Sequence, residues 1–420
     1  MQQPVSESSA PGPTAGMAVW VTILGFLIMT TDGYDLQSAA LVAPVLTGAF
    51  KVKPEAMAPV LGASIVGMAF GSIALGWLAD TAGRKRALLT CMALLSIGSL
   101  ASAATPSLAA LFWFRVLTGL GLGGATPIAT TLTAEWTPPK WRTVAVAVVI
   151  VGVPLGGLLG AAVAATVMER FGWRAVFVLG AVLPLFFLLI ALPGLPESPV
   201  FLARAAAPPA QQRRGRIFDV FAPEHLRSTL TIWGSFILNS LTLYGFVNWL
   251  PLVLRSTGMP LSAALRGSLL FNVGGVVGSV VGSILIVRYG SRIVGASMAS
   301  AGAVAAVLVG VAVIADGSLH EAQLALLASI TAVGVCLNAM QNFLYAVAAH
   351  SYPTDIRGSG VGWGSAVARI GGYLSSSVGG LYFALALPPA EYFYILAVFI
   401  GGTAACFFSI PTPIPGRRAQ

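Results

Sequence analysis

Apolar residues run along this chain in long stretches separated by short polar connections. A helix rises about 1.5 Å per residue, so crossing roughly 30 Å of hydrocarbon takes about 20 mostly apolar residues. Twelve windows fit, at 18–47, 57–79, 87–105, 108–134, 143–168, 173–193, 228–254, 263–287, 293–315, 321–348, 358–386 and 390–410. The longest polar stretch, 195–227, holds Pro208-Pro209, Gln211-Gln212 and Arg213-Arg214-Gly215-Arg216, and it divides the windows six and six. The pattern predicts an all-α membrane protein with a disordered cytoplasmic tail over 1–16, a six-helix bundle over 17–194, a cytoplasmic linker over 195–227, a second bundle over 228–411 and a cytoplasmic tail over 412–420.

Composition agrees with a membrane chain, at 57% hydrophobic and 9% charged, against roughly 25% charged in a soluble domain. The first 16 residues carry neither Lys nor Arg and lack the basic start of a signal peptide. Cys91, Cys336 and Cys406 all fall inside apolar windows without metal-ligand spacing, so neither a disulfide framework nor a zinc site is indicated.

A net charge of +9 raises the question of nucleic acid, and the positions of the basic residues answer it. With the N-terminus inside, the cytoplasmic connections hold Arg84, Lys85, Arg86, Lys140, Arg142, Arg204, Arg213, Arg214, Arg216, Arg227, Arg288, Arg292, Arg357, Arg417 and Arg418. The opposite connections hold only Lys51, Lys53, Arg170, Arg174, Arg255 and Arg266. This asymmetry follows the positive-inside rule and predicts both termini in the cytoplasm of a bacterial inner membrane. The charge reports topology, not a nucleic-acid partner.

The halves resemble each other. Pro138, Arg142, Gly156 and Gly157 align at one offset with Pro353, Arg357, Gly371 and Gly372, and a second offset aligns Pro44 with Pro251 and Gly83 with Gly290. Transporters built of parallel repeats place their substrate near the midplane, between the repeats. The 48 glycines, clustered as in Gly119, Gly121, Gly123 and Gly124, suit close helix packing in lipid.

Four charges lie deep inside the windows, away from their ends. Asp32 and Asp35 lie in the first, Arg115 in the fourth and Arg369 in the eleventh. Three helical steps leave the two carboxylates about 60° and about 4.5 Å apart, in one environment. A carboxylate at that depth escapes its desolvation penalty through a cation, water or a proton. Proton coupling by Asp32, Asp35 and Arg115 is therefore expected, and a structural pair between one Asp and an arginine of the fourth window stays open. An arginine keeps its charge and requires an anion. Arg115 or Arg369 can receive a substrate carboxylate in bidentate fashion while the other holds an Asp.

The remaining cavity should offer ring faces and hydrogen-bonding groups. Candidates are Tyr34, Asn239, Tyr244, Asn248, Trp249, Asn272, Asn338, Gln341, Asn342, Tyr345 and Trp363. Steps of 3, 1 and 3 put Asn338, Gln341, Asn342 and Tyr345 on one stripe of the tenth window. Gating is expected from Asp80, Arg84, Glu135, Arg142 and Arg357 at the cytoplasmic face, with Asp80 meeting the positive start of the eleventh helix when the inner gate is shut.

Gly76-Trp77-Leu78-Ala79-Asp80-Thr81-Ala82-Gly83-Arg84-Lys85 resembles the loop signature of the major facilitator superfamily, and Arg115-Val116-Leu117-Thr118-Gly119-Leu120-Gly121 resembles its fourth-helix pattern. Pro196-Glu197-Ser198-Pro199-Val200-Phe201-Leu202 resembles the close of the sixth helix in its sugar, organic-ion and aromatic-acid branches. Asp32-Gly33-Tyr34-Asp35, with Tyr352 to Arg357 and Arg369-Ile370-Gly371-Gly372, is similar to aromatic acid:proton symporters. The resemblance implies the major facilitator fold, twelve transmembrane helices in two six-helix bundles, and a monomer that imports a benzoate- or hydroxybenzoate-like acid with protons by alternating access. The second-half loop, Ile286-Val287-Arg288-Tyr289-Gly290-Ser291-Arg292, has Val287 where the family often has Asp, so a symmetric second latch is in question.

Enzymatic readings find no support, since neither a zinc-protease helix motif nor a nucleotide-binding loop is present, and His225, His320 and His350 sit near window ends. No cofactor is expected. The alternatives are a proton-driven exporter of organic anions or drugs, for which Gly152-Val153-Pro154-Leu155-Gly156-Gly157 gives a partial motif, uptake of a non-aromatic acid or sugar, and a receptor that binds without transporting.

Overall fold

A computed structural model describes residues 15–206, 219–314, 320–353, 356–411 and 413–415. The tail predicted over 1–16 falls almost wholly outside the described residues, as do 207–218 of the linker and 416–420 of the C-terminal tail.

The described residues form thirteen α-helices and no strand. In the first half these are α1 (Ala15–Ala49), α2 (Ala58–Ala82), α3 (Arg84–Ala103), α4 (Leu108–Trp136), α5 (Arg142–Phe171) and α6 (Arg174–Gly194). A short α7 (Pro199–Ala206) follows. The second half comprises α8 (Pro223–Ser256), α9 (Leu261–Tyr289), α10 (Ser291–Ile314), α11 (His320–Ser351), α12 (Arg357–Ala384) and α13 (Pro389–Ser409). All twelve windows become helices. Two local expectations change: α7 lies in a stretch read as linker, and α8 starts at Pro223 rather than 228, because a proline fits a first helical turn.

The breaks have local causes. Gly83, Gly172 and Gly290 follow α2, α5 and α9 with φ of 105°, 76° and 86°, a region open to glycine because it lacks Cβ. Ser107 caps α4 by accepting a hydrogen bond from the Ala110 amide at 3.2 Å.

Packing repeats seven labels on. The pairs α2 with α4, α1 with α5, α3 with α4 and α3 with α6 recur as α9 with α11, α8 with α12, α10 with α11 and α10 with α13. Glycines set the tightest pairs: Gly67 and Gly71 of α2 lie on the backbone of Val116 and Leu120, and Gly274 and Gly278 of α9 lie on that of Thr331 and Val335. A Cβ at any of them would overlap a carbonyl oxygen. Without a hydrophobic driving force between helices in lipid, such close approach supplies the dispersion that holds them.

Eleven of the long helices are apolar enough to cross a membrane unaided; α12, rich in Gly and Ser, is the exception and packs on α8 and α2. The halves meet through α5 with α9, α2 with α12 and α1 with α8. The close approaches between α2 and α12 lie toward the end that holds the 50–57 connection. There Gly62 faces Tyr373 and Ser376, and Ala58 faces Gly380.

Candidate functional site

The two aspartates of α1 do not share an environment. Asp35 points into the first bundle, where Arg115 of α4 meets its Oδ2 at 3.0 Å with both side chains wholly buried. The same guanidinium donates to the Asp35 carbonyl oxygen at 2.7 Å, and the Ser99 hydroxyl donates to Asp35 Oδ1. The Phe177 ring lies 5.8 Å from the guanidinium. Gly180 of α6 leaves the space: a Cβ there would stand 3.2 Å from Asp35 Oδ1. Tyr34 is enclosed in the same bundle and donates to the Val176 carbonyl at 2.9 Å, so it packs between helices instead of lining a cavity. This is the structural pair that the sequence left open.

Asp32 has no such clamp. Its Oδ2 accepts a hydrogen bond from Thr126 of α4 at 3.0 Å, and the Arg369 charge of α12 acts on it from the other half. Tyr244 of α8 interacts electrostatically with Tyr345 of α11, Arg369 and Asp32. Five helices from both halves thus bring one polar group each within electrostatic or hydrogen-bonding reach of another in the set. Arg369 is half-buried and, among the described residues, makes no hydrogen bond or ion pair.

The polar stripe of α11 stands as its spacing predicts. Asn338, Gln341, Asn342 and Tyr345 are half-buried while Ala339, Met340, Phe343 and Leu344 between them are buried. Asn239 of α8 is wholly buried and donates from Nδ2 to Gln341 Oε1 at 2.7 Å. Asn338 turns its amide back to the Gly334 carbonyl at 3.0 Å, and Tyr345 meets Phe236 edge-on at 5.2 Å.

Asn272 of α9 belongs to a contact between the halves. Its Nδ2 donates to Gln37 Oε1 of α1 at 2.9 Å, and Gln37 Nε2 donates back to Asn272 Oδ1 at 2.8 Å. Gly157 of α5 lies against this amide pair and has no room for a side chain. Two candidates stand elsewhere. Trp249 is wholly buried over Gly379 and 5.5 Å from Phe383, and Trp363 joins Trp233 and Phe221 at 5.6 and 5.7 Å.

At the Gly83 end Arg84 pairs with Glu135 at 3.3 Å, both side chains 13% exposed, and more loosely with Asp80 at 3.9 Å. Glu197 accepts from the backbone amides of Arg84 and Ser198, each at 2.8 Å, and so caps α3 with a carboxylate at its positive end. The Ser198 hydroxyl donates to Glu135 and accepts from the Phe201 amide at 2.9 Å, which starts α7. Arg142 is exposed and not brought to this cluster, and the Arg357 side chain lies outside the described residues. The second half answers with backbone: after Gly290, Ser291 N donates to the Ile414 carbonyl at 3.0 Å and Arg292 Nη2 to that of Ile410 at 2.7 Å. Among the described residues no carboxylate takes the place that Glu135 and Glu197 hold in the first half, in line with Val287.

Ser99, Thr126, Gln37 and Glu197 escaped the sequence reading. Hydroxyls and a lone Gln inside an apolar window carry no signal until packing supplies their partner; Glu197 was visible only as part of a motif.

Twelve long helices in two repeats, eleven of them long and apolar enough to cross a membrane, with charge at the seam, point to a secondary transporter and not an enzyme. Residues 21–376 match the Major Facilitator Superfamily, and the chain belongs to it. It is 31% identical to the gallate transporter of Pseudomonas putida over 89% of this chain and 88% of that one. It is 32% identical to the 4-hydroxybenzoate transporter PcaK of Pseudomonas aeruginosa over 86% and 85%, and 33% identical to the 3-(3-hydroxy-phenyl)propionate transporter of Escherichia coli over 86% of each. Among solved structures, a D-xylose-proton symporter superposes with a TM-score of 0.75 at 18% identity, covering 96% of this chain and 99% of that one.

Proposed function

We propose that the protein imports a small aromatic carboxylate together with protons by alternating access, as a monomer in a bacterial inner membrane with both termini cytoplasmic. The observation that carries this reading is the asymmetry of the buried charges. Asp35 is paired with Arg115, whereas among the described residues Asp32 has one hydrogen-bond partner, the Thr126 hydroxyl, and interacts across the seam with Arg369, which has no hydrogen bond or ion pair there. A guanidinium in that position is a ready bidentate receptor for a carboxylate. Asp32 is the proton site: when ionised it competes with substrate for Arg369, and when protonated it releases Arg369 to the substrate anion. Both loads then cross together. The ring lies among Tyr244, Tyr345 and the amides of α11, and the relatives named for gallate, 4-hydroxybenzoate and hydroxyphenylpropionate support an aromatic acid.

Under the proposed positive-inside topology, the end where α2 and α12 approach each other, around Gly62 and Ala58, is the periplasmic one. The Gln37–Asn272 pair then seals the outer side, and the Arg84–Glu135–Glu197 cluster serves the inner gate.

The test is uptake of labelled 4-hydroxybenzoate and benzoate into membrane vesicles with an imposed pH gradient. Wild type is expected to accumulate substrate and to move protons inward on substrate addition. Accumulation that survives collapse of the proton gradient overturns the coupling. Asp32→Asn should lose accumulation yet retain exchange of internal for external substrate, a step that needs no net proton movement.

A further inference from the structure

Gln341 is half-buried on the polar stripe of α11, and its carboxamide is held by a hydrogen bond. Asn239, wholly buried behind it, donates Nδ2 to Gln341 Oε1 at 2.7 Å. The Leu337 carbonyl, 3.5 Å from the same Nδ2, keeps that N–H side turned toward α11. Asn239 Oδ1 is buried and, among the described residues, without a hydrogen-bond partner. A buried oxygen left unpaired is rare in native proteins. Reversing the Asn239 amide would take its N–H from Gln341 and set an oxygen against the Leu337 carbonyl.

The consequence falls on the exposed end of Gln341. Its oxygen is occupied from behind, so the nitrogen, which has no partner among the described residues, presents N–H donors to the accessible side. Tyr345 stands one turn along the same stripe and interacts electrostatically with Tyr244, which also interacts with Arg369. An acid held by its carboxylate at Arg369 therefore has, along α11, a carboxamide whose free end is its N–H donor.

We infer that Gln341, fixed in this polarity by Asn239, selects substrates whose ring carries a hydrogen-bond acceptor away from the carboxylate, such as a hydroxyl, methoxyl or second carboxylate oxygen. Gln341 contacts the substrate, and Asn239 is a positioning residue. The inference rests on the aromatic-carboxylate reading above and adds which atoms of the ring are read.

The experiment is competition for uptake by 3- and 4-substituted benzoates in vesicles: hydroxy and methoxy, which accept; methyl, which does neither; and amino, a weak acceptor that mainly donates. Wild type should favour hydroxy and methoxy over methyl by about tenfold, the discrimination that one hydrogen bond supplies. Gln341→Leu should bring that ratio close to one with the methyl compound still carried. Gln341→Glu should shift preference toward the amino compound. Asn239→Ala should lower the hydroxy-to-methyl ratio toward that of Gln341→Leu, a ratio that loss of folded protein alone would not move. If wild type carries hydroxy and methyl compounds equally, or Gln341→Leu keeps the wild-type ratio, the inference fails and the transport reading stands. If wild type transports none of the benzoates, the transport reading itself fails.

Discussion

Asp32 and Asp35 stand about one helical turn apart on α1 and meet different chemistry. Their spacing was readable in the sequence; their fates were not, because about 60° of rotation decides whether a side chain enters the bundle or the seam. Arg115 and Ser99 sit on other helices, and only packing brings them to Asp35. Removing one member of a buried pair strands a charge, so Arg115→Met should destabilise the protein by about 3–5 kcal/mol. The measurement is thermal unfolding in detergent. Adding Asp35→Asn should restore much of the loss, and a double variant no better than the single would show that the two are uncoupled. Asp32→Asn should leave the unfolding temperature near wild type, because it removes no ion pair and keeps a partner for Thr126.

At the level of helices, the length and order of the spans were legible because lipid leaves a chain few options for its backbone. The contacts that specify a conformation were less so. Gln37 looked like one polar residue in an apolar run, and Gly157 like one glycine among many, until α1, α5 and α9 came together. Gln37→Ala removes both hydrogen bonds of the pair, and Gly157→Leu wedges it apart. Each should shift the population toward a form open at the 50–57 end, visible as longer spin-label distances between α2 and α12 near Gly62 and Gly380. Unchanged distances would mean the pair does not hold the halves. Glu197 joins two elements, α3 and the 195–198 turn. Glu197→Ala should cost about 1 kcal/mol, the usual worth of a lost cap, read as a lower unfolding temperature with the Arg84–Glu135 contact retained.

For the whole molecule, the repeat was faintly visible as a few aligned prolines, arginines and glycines, yet it governs which helix touches which. Identity had drifted while backbone proximity persisted. Topology has a direct check. In a background without Cys91, Cys336 and Cys406, an impermeant thiol reagent should label Lys53→Cys only from the periplasm and Arg86→Cys only from the cytoplasm; the reverse pattern would invert the proposed orientation. The polar character of α12 bears on how the protein is made. A segment with this share of Gly and Ser, and with Arg369 at its middle, gains little from lipid on its own. Its hold in the bilayer comes from α8, already emplaced when α12 leaves the ribosome, and from α2 across the seam. The polar residues of α12 thus make its insertion dependent on earlier helices, so substitutions that break α8 should fail at biogenesis, before any question of activity arises.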